Sequence, residues 1–297
     1  MQRIPLTSNV ELSQVAYGMW RLGDDSDTRP AHIEAKINAC LAQGITTLDQ
    51  ADIYGGYQAE ALLGACFKAA PQLKDKVEII TKCGIIAPVG RHKKARVKYY
   101  DTSSQHITAS VDASLKLMNI EKIDLLLIHR PDPFMDAEDT GRCLDDLITS
   151  GKIKAAGVSN FKPYDLSLLS SAMSNPLVVN QIEISLLANE AFRNGDIAYL
   201  QEKKCRPMAW SPLAGGRLFD SQNTALMPRM KQLAETHNVD VAAIAVAWLL
   251  AHPSGILPVM GTNSLPRIET LSQATQVNMD RQTWFELYNL ANGHEVP

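Results

Sequence analysis

The chain has 297 residues, 45% of them hydrophobic and 21% charged, with a formal net charge of −3, the balance of a globular protein long enough to bury roughly three quarters of its unfolded surface. Slight acidity gives no global reason to expect nucleic acid or an anionic membrane as partner, and the sequence shows neither an apolar leader nor a run of about 18 apolar residues. Five cysteines, Cys40, Cys66, Cys83, Cys143 and Cys205, are odd in number, widely spaced and without a C-x-x-C pair, which argues against a disulfide framework or a structural zinc and for a reducing cytoplasm.

In chain order, Arg3-Ile4-Pro5-Leu6 and Asn9-Val10-Glu11-Leu12 suit a short hairpin. Eight apolar β-like runs follow at 14–17, 45–48, 77–81, 124–128, 153–158, 178–182, 206–210 and 255–259. Helical spacing fills the gaps at 31–42, 58–69, 105–118, 137–150, 163–174, 191–203 and 225–251, the last long enough for two helices around Val239-Asp240. Strict β/α alternation implies parallel strands joined by right-handed crossovers, and eight such units close as a (β/α)8 TIM barrel, here one domain over 1–297 with the hairpin over its bottom. Gly44 and Gly151 suit left-handed helix ends, and Lys162-Pro163 a helix start. Segment 85–102, after the third strand, is too long for a plain βα connection and reads as an enlarged loop, functional or mobile.

Four polar residues fall where apolar runs end: Asp49 after Ile45-Thr46-Thr47-Leu48, Tyr54 five residues on, Lys82 after Val77-Glu78-Ile79-Ile80-Thr81, and His129 after Leu125-Leu126-Leu127-Ile128. Neighbouring parallel strands would gather them at the carboxyl end of a barrel, where catalysis sits. An ammonium beside a phenol favours the phenolate, so Lys82 would lower the pKa of Tyr54, with Asp49 keeping Lys82 charged and His129 orienting a carbonyl oxygen. Taken singly, Asp49 with Lys82 also fits a buried structural pair, His129 a core histidine and Tyr54 a turn tyrosine.

The chain resembles the aldo-keto reductases, most of all their bacterial branch of uncharacterised oxidoreductases. The resemblance runs along nearly the whole length through Gly18-Met19-Trp20, Asp49-Gln50-Ala51-Asp52-Ile53-Tyr54-Gly55, Lys82, Leu126-Leu127-Ile128-His129 and Gly157-Val158-Ser159-Asn160-Phe161. It continues with Asn180-Gln181-Ile182-Glu183, Trp210-Ser211-Pro212-Leu213-Ala214-Gly215-Gly216 and Leu257-Pro258-Val259-Met260-Gly261-Thr262.

It implies an oxidoreductase that reduces aldehydes or ketones with NADP(H), NAD(H) being possible, with Tyr54 as acid/base and Asp49, Lys82 and His129 as its partners. Ser159, Asn160 and Gln181 would hold the nicotinamide carboxamide and Trp210, where the family more often has tyrosine, would stack on the ring. Ser211, Leu213, Gly215, Arg217, Gly261, Thr262 and Asn263 would line the rest of the nucleotide, with Arg267 on a 2′-phosphate. The adenine-clamping residues of the family are here Thr270 and Leu271. No G-x-G-x-x-G follows the first strand, which excludes a Rossmann reading. Trp20, Arg21, Ile53, Cys83, Arg130 and the 85–102 loop, basic through Arg91, His92, Lys93, Lys94, Arg96 and Lys98, would surround a small carbonyl substrate. A solvated lid is the preferred reading of that charge over steering of an anionic substrate. No metal is expected, and a monomer or weak homo-oligomer. Two rivals remain: a nucleotide-sensing regulatory subunit with little turnover, and a metal-dependent barrel hydrolase using Asp49, His129 and Cys83.

Overall fold

Runs such as Leu125-Leu126-Leu127-Ile128 have no polar face, so a strand made of them is stable only when covered on both sides. In the computed structural model, which describes residues 1–221 and 223–297, eight such strands close into a parallel barrel. They are β1 (Ala16–Gly18), β2 (Thr47–Asp49), β3 (Glu78–Cys83), β4 (Leu125–Ile128), β5 (Ala156–Ser159), β6 (Leu177–Glu183), β7 (Arg206–Trp210) and β8 (Leu257–Met260), each paired with its neighbours in sequence and β8 with β1. The main helices are α1 (Pro30–Leu41), α2 (Ala59–Ala69), α3 (Ser104–Met118), α4 (Ala137–Thr149), α5 (Pro163–Ser171), α6 (Asp196–Glu202), α7 (Leu226–His237), α8 (Val241–Leu250) and α9 (Arg281–Asn292).

Period-two alternation sorts the strand residues. Ile80, Leu125, Leu127, Val179, Met208, Leu257 and Val259 form one cluster inside the barrel, joined from below by Ile4, Val10 and Leu12 of the hairpin Arg3–Pro5 with Glu11–Ser13. Leu48, Ile79, Leu126, Ile128, Ala156 and Ala209 face outward onto the helices.

Several strands lie one to three residues later than the apolar runs suggest, so Asp49 is the last residue of β2 and Lys82 the next to last of β3 rather than the first residues of loops. The expected helix at 191–203 is shortened to α6, because Gly195 takes a left-handed φ of 91° just before it. The 225–251 stretch is indeed two helices, bent by 91°. After β8 the chain adds a short helix Leu265–Ile268 and α9, whose Asp280 cap and amphipathic spacing the sequence reading passed over. Segment 85–102 is an ordered hairpin, Ile85–Ile86 against Tyr99–Tyr100, around a turn at Gly90–His92.

Candidate active site

The alternation that fills the barrel with Ile80, Leu125 and Leu127 turns Asp49, Lys82 and His129 inward one step higher, at the carboxyl mouth. Asp49 pairs in register with Ile80 of β3, and Lys82 with Leu127 of β4, so the two side chains reach each other across adjacent strands. Lys82 is fully buried and its Nζ donates to Asp49 Oδ1 at 2.9 Å and Oδ2 at 2.8 Å, to the Gln50 carbonyl at 2.9 Å and to Tyr54 Oη at 3.1 Å. Burial pulls the Lys82 ammonium down, but Asp49 and Tyr54 outweigh it and hold it above its usual value. Lys82 is a fixed cation.

An ammonium has only protons to give. Tyr54 Oη is therefore the acceptor in its bond with Lys82, and its own hydroxyl proton is left for another group. Burial places the Tyr54 phenol above its usual value, because it outweighs the downward pull of Lys82. This corrects the expectation of a lowered pKa: the phenol stays protonated at neutral pH, and Lys82 stands ready to stabilise the phenolate once that proton has gone. The His129 ring meets Tyr54 edge-on, centroids 5.9 Å apart. Burial, with Lys82, Arg130 and Lys98 nearby, holds the imidazole well below 6.5, so it is neutral. Its Nδ1 is buried and has no hydrogen-bond partner among the described residues.

A second polar chain crosses the mouth from β2 to β7. Gln181 Nε2 donates to Asp49 Oδ1 at 2.8 Å, Ser159 Oγ to the Gln181 carbonyl at 2.8 Å, and Asn160 Nδ2 to Ser159 Oγ at 2.8 Å. Trp210 Nε1 completes it by donating to Asn160 Oδ1 at 2.9 Å. The expected carboxamide contacts thus bond one another and tie the indole to Asp49, a link the sequence reading missed. Trp210 is half-buried and Arg130 lies 6.0 Å from its ring.

The remaining predicted residues divide. Ser211 (φ 50°), Leu213, Gly215 and Gly216 form a turn whose glycines have open space where a Cβ would stand, and Arg217 Nε bonds the Ala214 carbonyl at 3.1 Å. A half-exposed indole pinned at its nitrogen, beside a turn with open glycine backbone, fits a flat heteroaromatic ring with a nearby pyrophosphate. Gly261 and Thr262 follow β8, the Thr262 carbonyl accepting from Tyr17 Oη at 3.0 Å. Asn263 is bonded within the chain: its Nδ2 donates to the Arg21 carbonyl at 2.7 Å, and its Oδ1 accepts from the fully buried Lys36, which also pairs with Asp25. Arg267 is exposed and has no carboxylate partner among the described residues.

Trp20, 59% exposed, stands at the mouth with Arg21 5.4 Å from its ring. Cys83 is not in the pocket. Next to inward-facing Lys82, it points outward into the apolar cluster with Ile107 and Val111 of α3. It therefore cannot join Asp49 and His129 around a metal, and among the described residues no three His, Cys, Asp or Glu side chains are grouped to hold one.

The pattern of the aldo/keto reductase family matches residues 14–291. The chain is 64% identical over 296 residues to a 6-dehydroglucose reductase of Agrobacterium fabrum, covering all of both proteins. It is 39% identical over 302 residues to an uncharacterised oxidoreductase, YcsN, of Bacillus subtilis, again over the full length of each. Among solved structures, an aldo/keto reductase of Klebsiella pneumoniae in complex with NADP and acetate is similar with a TM-score of 0.81 and 20% identity, over 99% of this chain and 96% of the other.

Proposed function

The chain belongs to the aldo/keto reductase family, and from that premise we propose that it reduces the aldehyde of a 6-aldehyde hexose, 6-dehydroglucose or a close relative, to the primary alcohol with NADPH. The observation that carries the reading is the bond from Lys82 Nζ to Tyr54 Oη at 3.1 Å, which leaves the phenolic proton free for a substrate. The substrate class is supported by the 64% identity to a 6-dehydroglucose reductase along the entire chain.

A bound nicotinamide supplies the hydride that reduces the carbonyl carbon, which no side chain can do. Trp210, Ser159, Asn160 and Gln181 would hold its ring, the glycine turn at Gly215 its pyrophosphate, and Arg267 the 2′-phosphate that distinguishes NADPH from NADH. The chain's own residues do the rest. Neutral His129 donates a hydrogen bond that orients the carbonyl oxygen. As that oxygen becomes an alkoxide, Tyr54 Oη gives it a proton, forming the alcohol's O–H, and the phenolate left behind is stabilised by Lys82. Asp49, fixed by Gln181, keeps Lys82 charged and aimed. Among the described residues no single helix is long and apolar enough to cross a membrane.

Fluorescence titration with NADPH and NADH, followed by absorbance assays on 6-aldehyde hexoses, simple aldehydes, dicarbonyls and keto acids, tests this. Tighter NADPH binding and the highest kcat/KM on the sugar aldehyde are expected. Tight binding without turnover of any carbonyl would instead indicate a nucleotide sensor, and a preference for keto acids would overturn the substrate class.

A further inference from the structure

The turn that carries Tyr54 is strained and is held by the basic loop. After Tyr54 come Gly55, Gly56 and Tyr57 with φ of 58°, 63° and 71°. Glycine tolerates this region, but a left-handed tyrosine is strained and persists only where its surroundings fix it.

Those surroundings come from the 85–102 segment. Arg91 Nη2 pairs with Asp52 Oδ2 at 2.9 Å, and its guanidinium lies 4.9 Å from the Tyr57 ring centroid. Tyr57 Oη donates to the Ile85 carbonyl at 3.0 Å and accepts from Ala87 N–H at 2.9 Å, while the His92 ring meets it edge-on at 4.9 Å. Gly90 is pressed so closely on the turn that a Cβ there would stand 2.4 Å from the Gly56 carbonyl oxygen. Asp52 precedes Tyr54 by two residues and Tyr57 follows it by three, so one guanidinium grips both flanks of the catalytic tyrosine. The Asp52 side chain is fully buried, and its Oδ1 has no partner among the described residues.

We propose that Arg91 is a positioning residue for Tyr54: by bridging Asp52 and Tyr57 it fixes the strained turn, so that proton transfer requires the 85–102 loop to be seated. The inference rests on the reductase reading with Tyr54 as proton donor. It assigns the innermost charge of the loop to the scaffold of the site, whereas Lys93, Lys94 and Arg96 are exposed and without carboxylate partners among the described residues.

The bridge is sensitive to protonation. Asp52 is faced by Arg91 from the loop, Tyr57 from the turn, Glu60 from α2 and Cys83 at the end of β3, with His92 of the loop, whose Nε2 accepts from Arg91 Nε at 3.1 Å, and His106 of α3 beyond Arg91. Burial raises the Asp52 carboxyl, Arg91 lowers it and Glu60 raises it again, leaving it at about 7. The ionised form that pairs with Arg91 therefore fills as pH rises through about 7 and empties below it.

The test measures kcat, KM and NADPH affinity for wild type, Arg91→Met, Arg91→Lys and Gly90→Ala. Arg91→Met is expected to lose about tenfold or more in kcat, the scale set by small misplacements of a reacting group, with NADPH affinity and KM nearly unchanged. Added methylguanidinium should restore part of its kcat without affecting wild type. The ratio of wild-type to Arg91→Met kcat should grow between about pH 6 and about pH 8, as the carboxylate ionises. Arg91→Lys, which keeps the charge but loses the flat stack, should fall between the two. Gly90→Ala, which lifts the loop without touching its charge, should lose kcat with no rescue, and it carries the test if Arg91→Met fails to fold. Combined Lys93→Glu, Lys94→Glu and Arg96→Glu should leave kcat intact. Wild-type kcat in Arg91→Met, a rise confined to KM, or a lower kcat with neither rescue nor a pH-dependent ratio would overturn the inference. Absence of turnover in wild type itself would instead overturn the reductase reading.

Discussion

The two ends of this barrel use the same kinds of residue to opposite effect. At the amino end, Glu78 accepts from Arg3 Nη2 at 2.8 Å and from the hydroxyls of Thr46 at 2.7 Å and Thr47 at 3.1 Å, while Asp124 accepts from Ile79 N–H at 2.7 Å and pairs with Lys154 at 2.5 Å. Both of these buried or half-buried carboxylates have their donors within the chain. At the carboxyl end, Gln50 Oε1, Asp52 Oδ1, His129 Nδ1 and Asn180 Oδ1 are all buried without a partner among the described residues. Leaving a buried polar atom unpaired costs about 1–3 kcal/mol. Of these four residues, only His129 belongs to the inward-facing set of Asp49, Lys82 and Gln181, so its Nδ1 is the one of the four placed for a molecule other than the chain to complete, whereas the carboxylates of the lower end are satisfied within the chain.

The sharpest way to break that contrast is a substitution that should damage both properties. Lys82→Met removes the cation beside Tyr54 and leaves Asp49 buried with only the Gln181 amide, so a loss of about 3 kcal/mol in stability is expected. A fall of about 10³-fold in kcat should accompany it. Denaturant unfolding and initial rates check the pair. At the lower end, Glu78→Gln should cost about 1–2 kcal/mol of stability and leave kcat unchanged once the protein is folded. A drop in kcat there would erase the distinction between the ends.

His129 sharpens it through pH. Its folded pKa lies well below the 6.5 of the free group, so below about pH 6.5 the unfolded chain binds a proton that the folded chain refuses, and stability falls as pH falls. His129→Gln should remove that slope, at most about 1.4 kcal/mol per pH unit. Melting temperatures from about pH 5 to about pH 8 would reveal it, and an unchanged slope would mean that the imidazole is not buried neutral.

Much of the carboxyl end was legible in the sequence because its signal is local. A charged residue after an apolar run marks a strand end, and parallel neighbours bring such ends together, as they bring Asp49, Lys82 and His129. Cys83 shows what a stricter use of the same rule yields: with Lys82 inward, alternation sends Cys83 outward, and the sequence already contained that parity. Other features depend on distant partners that no spacing encodes. The reach of Gln181 to Asp49 spans 132 positions and that of Lys36 to Asn263 spans 227. Nor could composition separate Arg91, which is anchored on Asp52, from its solvated basic neighbours. The sign of the Tyr54 shift was beyond a reading by neighbours alone, because burial, a property of the whole fold, outweighs the single charge of Lys82.

The most direct test of the account is Tyr54→Phe, which removes the Oη that accepts from Lys82 while keeping the ring and the strained turn. Turnover of a 6-aldehyde hexose with NADPH should fall by about 10³-fold or more, with NADPH affinity and melting temperature nearly unchanged. Retention of wild-type kcat would contradict the central claim, since the proton would then come from a group other than the phenol that Lys82 holds.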